Sequence, residues 1–354
     1  MTTAMMTTGF ISSLNLWNAP RTGTARLQTE LAAATKEIAT GRHADVGATL
    51  GEGVAEAFGL RRQSAVLAAL TQGNAAASLR LDTTQSALKE IQSAADATLK
   101  ELVALPVDQR AKTLAETAKG RLAALAGALN TSAGGQSVFG GTDSGAAPLT
   151  PYEGSPISAA KTAVEAAFTS FFGFAPGSAA ASGITATALK GFIDGPLAGL
   201  FTEANWSRTW SGASSRTIDS QISLTETATT SASANAEPFR TLGMAYVVVS
   251  GLGLSGLSQE AQGVATDKAM QLLGQASGGL TTMQADLGRS QSRIADANAR
   301  MAKQTTLLTS RIKDLEGVDP AEAKARVDAI TTQMQMSYGL TAQLRSLSLI
   351  NFVS

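Results

Sequence analysis

Along residues 273–315 the hydrophobic pattern has a period of seven: Leu273, Leu280, Leu287, Ile294, Met301, Leu308 and Leu315 are all apolar. A strict seven-residue repeat drifts against the 3.6-residue turn of an ideal α-helix, so a helix carrying it winds left-handedly about its neighbours. Neither Gly nor Pro occurs over 289–316, and nothing local interrupts the helix. At about 1.5 Å per residue the column spans roughly 60 Å, which predicts a rod element. The flanking columns are mixed: Met283, Ser290, Ala297, Gln304 and Arg311 on one side, Gln284, Gln291, Asn298, Thr305 and Ile312 on the other. One narrow apolar stripe with small and amide neighbours suits a helix packed among several helices. Gly317 offers a left-handed C′ position. Asp319-Pro320-Ala321-Glu322 then reads as a fresh start, with Asp as N-cap, Pro at the first helical position and Glu at N3.

The N-terminal half repeats the theme. Leu27, Leu31 and Ile38 share one helical face, Gly41 stops that helix, and 42–53 reads as a Gly-bearing loop. Helical spacing resumes through Phe58, Leu67 and Leu70, then sharpens at Leu81, Leu88, Ile91, Ala95, Leu99 and Leu102. Pro106 breaks it, and a further helix carries Leu114, Ala118, Leu122, Leu125 and Leu129. Residues 130–148 form a loop with Gly134-Gly135 and Gly140-Gly141 around Val138-Phe139.

The pattern then changes. Residues 158–174 and 185–201 read as short helices, 206–210 and 216–224 as strands, and 225–235 as a Thr/Ser-rich strand or loop. Helix returns at Glu237 and leads past a Gly-rich hinge into the rod. The last helix carries Leu340, Leu344 and Leu347, and ends Leu349-Ile350-Asn351-Phe352-Val353. Free ends usually fray into polar tails, so this apolar stretch calls for a cover, and without an internal one the cover is another subunit.

The expected fold is mainly α. Long antiparallel N- and C-terminal helices form a coiled-coil-like rod, with a small mixed α/β domain inserted between them. The expected divisions are an assembly helix over 1–45, rod over 46–148, the insert over 149–236, rod over 237–317 and a second assembly helix over 318–354. The expected rod core comprises the seven-residue column with Leu81, Leu88, Ile91, Leu99 and Leu102. The expected assembly interface comprises Leu27, Leu31, Ile38, Leu340, Leu344, Leu347, Ile350 and Phe352.

Composition narrows the function. The 354 residues carry zero net charge with only 16% charged side chains, and no Lys/Arg run suggests nucleic acid. Cysteine is absent, which removes disulfides, thiolate metal sites and Cys nucleophiles together. Aromatics make up 5% while Ala, Ser, Thr and Gly abound, as suits thin helical layers with few large core anchors. No stretch reaches the length of a membrane-spanning helix. The N-terminus lacks the basic and apolar regions of a cleavable signal peptide, so export would need a route that reads an uncleaved N-terminus.

At this point the residues resemble the flagellin superfamily. Thr83-Thr84-Gln85-Ser86-Ala87-Leu88-Lys89-Glu90-Ile91 with Leu99 and Leu102, and Glu37-Ile38-Ala39-Thr40-Gly41-Arg42, are similar to its N-terminal helical region. Leu287-Gly288-Arg289-Ser290-Gln291-Ser292-Arg293-Ile294 and Thr341-Ala342-Gln343-Leu344 are similar to its C-terminal region. Within the superfamily, Asn130 followed by Gln136-Ser137-Val138-Phe139-Gly140-Gly141-Thr142 looks like hook-associated proteins of the FlgL type, at the hook–filament junction. The loop after Gly41-Arg42, usually an Asn/Ser/Pro/Asp-rich turn, here reads His43-Ala44-Asp45-Val46-Gly47-Ala48.

The resemblance implies a structural protein exported unfolded through the flagellar channel, with an export chaperone, and assembled as a ring. It would self-associate and touch other axial proteins, namely hook-associated protein and flagellin. Its terminal helices would order only on assembly. A filament flagellin is the alternative, and a signalling coiled coil is the reading from another class.

No enzyme is expected and no cofactor. His43 is the only histidine and reads as a solvated or hydrogen-bonded loop residue. Asp143 lies in a Gly loop that lacks Walker or EF-hand spacing. Gly253-Leu254-Ser255-Gly256 is not a nucleophile elbow. Trp206 and Trp210 read as core anchors of the insert, and Met334 and Met336 as adaptable packing.

Overall fold

The computed structural model describes residues 13–353, with side chains described over 22–343. The helices in chain order are α1 (Ser13–Thr40), α2 (Val46–Leu50), α3 (Val54–Ala104), α4 (Val107–Leu129), α5 (Ala159–Phe172), α6 (Ala186–Phe192), α7 (Ala198–Leu200), α8 (Glu203–Thr209), α9 (Glu237–Ser250), α10 (Gln259–Glu316) and α11 (Pro320–Val353). Two small antiparallel hairpins accompany them, β1 (Ser132–Ala133) with β2 (Gln136–Ser137) and β3 (Asp219–Gln221) with β4 (Thr227–Thr229). The protein is mainly α, as its periodicity predicts. The described residues form two compact units: 13–67 with 302–353, and 68–301. The helices α3 and α10 contribute to both.

In the larger unit α3 and α10 run antiparallel. Asp82 accepts from Gln291 at 2.6 Å, the Gln85 amide donates to the Gln284 carbonyl at 2.8 Å, and Ser277 donates to Asp96 at 2.6 Å. These polar ties climb α3 while descending α10, and they flank an apolar seam. Leu81, Leu88, Ile91, Leu102, Leu273, Leu280, Leu287, Ile294 and Met301 are all buried. Ser290 and Ala297, three residues on from members of the α10 column, are buried too, so small side chains complete the 3–4 alternation of knobs-into-holes packing. Leu99 is half-buried while its neighbour Thr98 is buried.

The centre of this unit is α9. Phe239 and every residue from Leu242 to Val249 are buried, and a helix apolar on all sides belongs in an interior. It packs on α4 and α8. Around it the region 149–236 folds on aromatic contacts: Trp206 stacks on Trp210 at 4.8 Å, and Tyr152 stacks on Trp210 at 5.2 Å. The indole Nε1 of Trp206 donates to the Ala234 carbonyl at 3.1 Å, so this buried side chain keeps its polar atom satisfied.

Several sequence expectations are corrected here. Residues 206–210 are not a strand. Trp206 lies in α8 and Trp210 caps its end, and one helical turn is the spacing that stacks two indoles on the same face. Within 216–224 only Asp219–Gln221 is strand, and within 225–235 only Thr227–Thr229. Of the alternating set Ile222 is buried but Leu224 is exposed. The expected loop over 42–53 contains α2, capped by Asp45, whose Oδ1 accepts from the Ala48 amide at 2.9 Å. The loop at 130–148 contains the β1–β2 hairpin, and both turn glycines, Gly134 and Gly135, have positive φ. Gly317 is not left-handed. It is needed because a side chain there would lie 2.4 Å from the Lys313 carbonyl oxygen.

Burial distinguishes two leucines of α3. Leu81→Ala should cost about 2–5 kcal/mol by leaving a cavity in the seam. Leu79→Ala, at a side chain 59% exposed, should cost under about 0.5 kcal/mol. Denaturant unfolding of the two variants checks the contrast.

Candidate assembly interface

The smaller unit is built on α1 and α11, which pair antiparallel. Gln28 donates to the Tyr338 hydroxyl at 3.3 Å, Arg326 contacts Glu37 at 3.2 Å, and Arg42 bridges Gly317. On α11 the buried or half-buried positions are Ala323, Val327, Ile330, Met334, Ser337 and Thr341, again in steps of three and four. On α1 they include Leu27, Leu31, Ala34 and Glu37. Two helices can hide only one stripe each from water, so the other faces stay wet. Ile38 (43%), Met336 (58%), Tyr338 (50%) and Leu340 (60%) are exposed there, and so is Phe58 of α3.

The sequence-predicted interface is therefore divided. Leu27 and Leu31 are half-buried against the partner helix, while Ile38 and Leu340 face solvent. Leu344, Leu347, Ile350 and Phe352 lie outside the residues whose side chains are described. Leu308 is buried and Leu315 half-buried in this unit.

Where the helices turn, charge replaces apolar packing. Glu316, the last residue of α10, is 1% exposed and accepts through one oxygen from both Arg42 and Arg61, the latter at 2.5 Å. The backbone closes around it: the His43 amide donates to the Glu316 carbonyl at 3.0 Å, and the Val318 amide to Gly41 at 3.2 Å. Gly41, at φ +65°, supplies the left-handed residue that ends α1. Burial alone would raise the Glu316 pKa, but the hydrogen bonds and charges of Arg61 and Arg42 outweigh it and hold the carboxyl below its ordinary value.

Glu37 forms a second buried carboxylate beside it. It accepts from Arg326 and from the Ala44 amide at 3.1 Å, with His43 Nδ1 at 3.9 Å. His43 is thus a half-buried member of this corner. Asp319 caps α11 by accepting from the Ala321 amide at 2.8 Å, but Glu322 turns to Arg326 instead of back to the cap. Neither glutamate stood out in the sequence. A carboxylate at a column's edge looks like any solvated charge until the fold brings two arginines to it.

In the larger unit the middle of the Gln136–Thr142 motif, Val138 to Gly141, is buried while Gln136 and Thr142 are exposed. Val138 and Phe139 are fully buried, and Phe139 meets Phe239 edge-on at 5.4 Å. Gly141 donates to Ala232 at 3.1 Å, and Gly140 accepts from Ser214 at 3.0 Å. A side chain at Gly140 or Gly141 would lie 2.2 Å from the Asp143 or Ser214 carbonyl oxygen, so only glycine lets these backbones approach. Asn130 bonds Leu149 through both its amide nitrogen and its oxygen. Among the described residues no three His, Cys, Asp or Glu side chains gather to hold a metal ion, and no helix is long and apolar enough to cross a membrane.

This arrangement defines a helical structural protein whose two chain regions zip together at one unit and leave apolar side chains outward. Two family models match it: bacterial flagellin N-terminal helical region over residues 11–144, and bacterial flagellin C-terminal helical region over 270–353. Together they span more than half of the chain, in the order flagellins have them, and the chain belongs to the flagellin superfamily. That family comprises structural, non-enzymatic proteins that are exported to the flagellum and associate with other axial subunits. A comparison with curated proteins finds no match.

Glu316→Gln should destabilise the smaller unit by about 1–3 kcal/mol at neutral pH, the half-exposed arginines keeping the loss moderate. A depressed carboxyl contributes stability fully above its unfolded value, about 4.5. The contribution fades as pH falls through the lower folded value. Melting curves of parent and variant should therefore differ at pH 7 and converge in acid.

Proposed function

We propose that this protein is a junction subunit of the bacterial flagellum, a ring-forming link between hook and filament of the FlgL type. The observation that carries the assembly part of this reading is the set of exposed apolar side chains on the paired terminal helices, Met336 and Leu340 on one face of α11, with Ile38 on α1. Side chains of that size left in water at 43–60% exposure are covered when copies pack side by side. The neighbours are further copies of this chain, hook-associated protein on one side and flagellin on the other. Leu344, Leu347, Ile350 and Phe352 extend the same interface. The chain travels through the flagellar export channel unfolded, escorted by a chaperone.

The junction assignment rests on the Asn130 and Gln136–Thr142 motif. The burial of Val138 to Gly141 makes that part of the motif a determinant of this unit's architecture. A filament flagellin is the second reading, supported by the same two family matches.

Deletion of the gene separates the two. For the junction subunit, electron microscopy should show bare hooks, and flagellin should accumulate in the medium as monomer. Bare hooks with no flagellin anywhere would make this chain the filament subunit, and normal filaments would refute both. Separately, Leu340→Ser with Met336→Ser should leave the melting curve within about 0.5 kcal/mol of the parent while preventing assembly. Assembly at the parental level would show that this face of α11 is not the interface.

A further inference from the structure

One column of α3 contains a polar intruder. Leu67, Asn74, Leu81, Leu88, Ala95 and Leu102 stand seven apart, and all six are buried. Asn74 is 1% exposed. Its amide nitrogen donates twice, to Asn298 Oδ1 on α10 at 2.7 Å and to the backbone carbonyl of Ile222 at 2.8 Å. Its own Oδ1 has no hydrogen-bond partner. A leucine here would continue the seam, whereas asparagine carries the cost of a buried unpaired oxygen. The return is a tie to the segment joining β3 to β4.

Two further side chains hold that hairpin to α10. Arg293 donates to the Thr227 carbonyl at 2.7 Å, and Arg300 pairs with Glu226 at 2.7 Å. The hairpin is otherwise slight. Three residue pairs form its ladder, the Thr230 amide donates to Ile218 at 2.8 Å, and Leu224 at its tip is 52% exposed. Side chains also bond across it, Ser220 with Thr230 at 2.6 Å and Thr229 to Asp219 at 2.7 Å, but a two-stranded hairpin of this size is at best marginal in water, and the ties to α3 and α10 add to its order. Ile222, fully buried beneath it, adds an apolar anchor.

The position of the ties matters as much as their chemistry. Toward the C-terminus of α3 further polar cross-links to α10 stand at Asp82 and Gln85, two or more turns away, while in the other direction α3 runs on to Arg61, which pairs with Glu316 of α10. The larger unit ends at Ala68 and Met301, and Asn74, Asn298 and Arg300 lie within its last two turns. We propose that the β3–β4 hairpin is a strap across α3 and α10. Tied by Asn74, Arg293 and Arg300, it keeps α3 and α10 together over 70–80 and 292–301. Released, it lets that stretch part as far as the Asp82–Gln291 link. The strap is a conformational device of the larger unit and does not depend on which flagellar subunit the chain is.

The test is hydrogen–deuterium exchange on the full chain, read segment by segment. Arg293→Gln with Arg300→Gln removes two ties through exposed side chains without touching the seam. Asn74→Leu removes the third while making the column wholly apolar. In both variants exchange should rise at least about tenfold at 219–229 and also at 70–80 and 292–301, with 88–102 unchanged. Faster chymotryptic cleavage at Leu224 should accompany it. A rise confined to 219–229 would overturn the strap, because the hairpin would then be a passenger. So would a uniform rise throughout the arginine variant, since the opening would be global. Unchanged exchange everywhere would overturn it as well.

Discussion

The structure depends on the burial of one seven-residue apolar column along α10 against a matching column on α3. Each fully buried leucine or isoleucine in that seam is worth roughly 1.5–3 kcal/mol relative to exposure. In a chain with 5% aromatics the seam supplies much of what holds the long helices. Its small neighbours, Ser290 and Ala297 on α10 and Ala77 and Ala95 on α3, let the backbones approach. The polar ties at the rim, among Gln85, Gln92, Gln284 and Gln291, suit a seam whose margin is wet.

The two units solve the same problem differently. The larger one folds around α9 and an aromatic stack, and its helices gain third and fourth partners. In the smaller one α1 and α11 mostly have each other, so apolar side chains remain outside. The corner where those helices turn is held by charge: Glu316 with two arginines and Glu37 with Arg326. Buried carboxylates of this kind contribute little net stability beside an apolar core, but they are costly to leave unpaired. The corner thus fixes how the chain turns more than how tightly the unit is packed. A unit with fixed turns and unfinished faces is suited to completion by neighbours.

Much of this was legible in the sequence because helical periodicity is a repeated signal. The α10 column from Leu273 to Leu308 and the α3 positions Leu81, Leu88, Ile91 and Leu102, which the spacing singles out, are buried. What escaped depends on partners distant in the chain. Trp206 and Trp210 suit a strand as well as a helix until their stacking with Tyr152 is known. Ile38 shares a stripe with Leu27 and Leu31, yet at its turn the fold buries Glu37 instead, because Arg326 and the Ala44 amide await it. Asn74 carries no signal of its own in the sequence, and the Ile222 carbonyl and Asn298 explain it. The Gly140-Gly141 pair was visible as a motif, but not the backbone crossing that demands it.

The proposed place of this chain, between hook and filament, can be seen by immunogold labelling of intact flagella with an antibody against residues 149–236. The expected result is gold at one band, where hook meets filament, on each flagellum. Gold distributed along the whole filament, or absent from flagella, would contradict it.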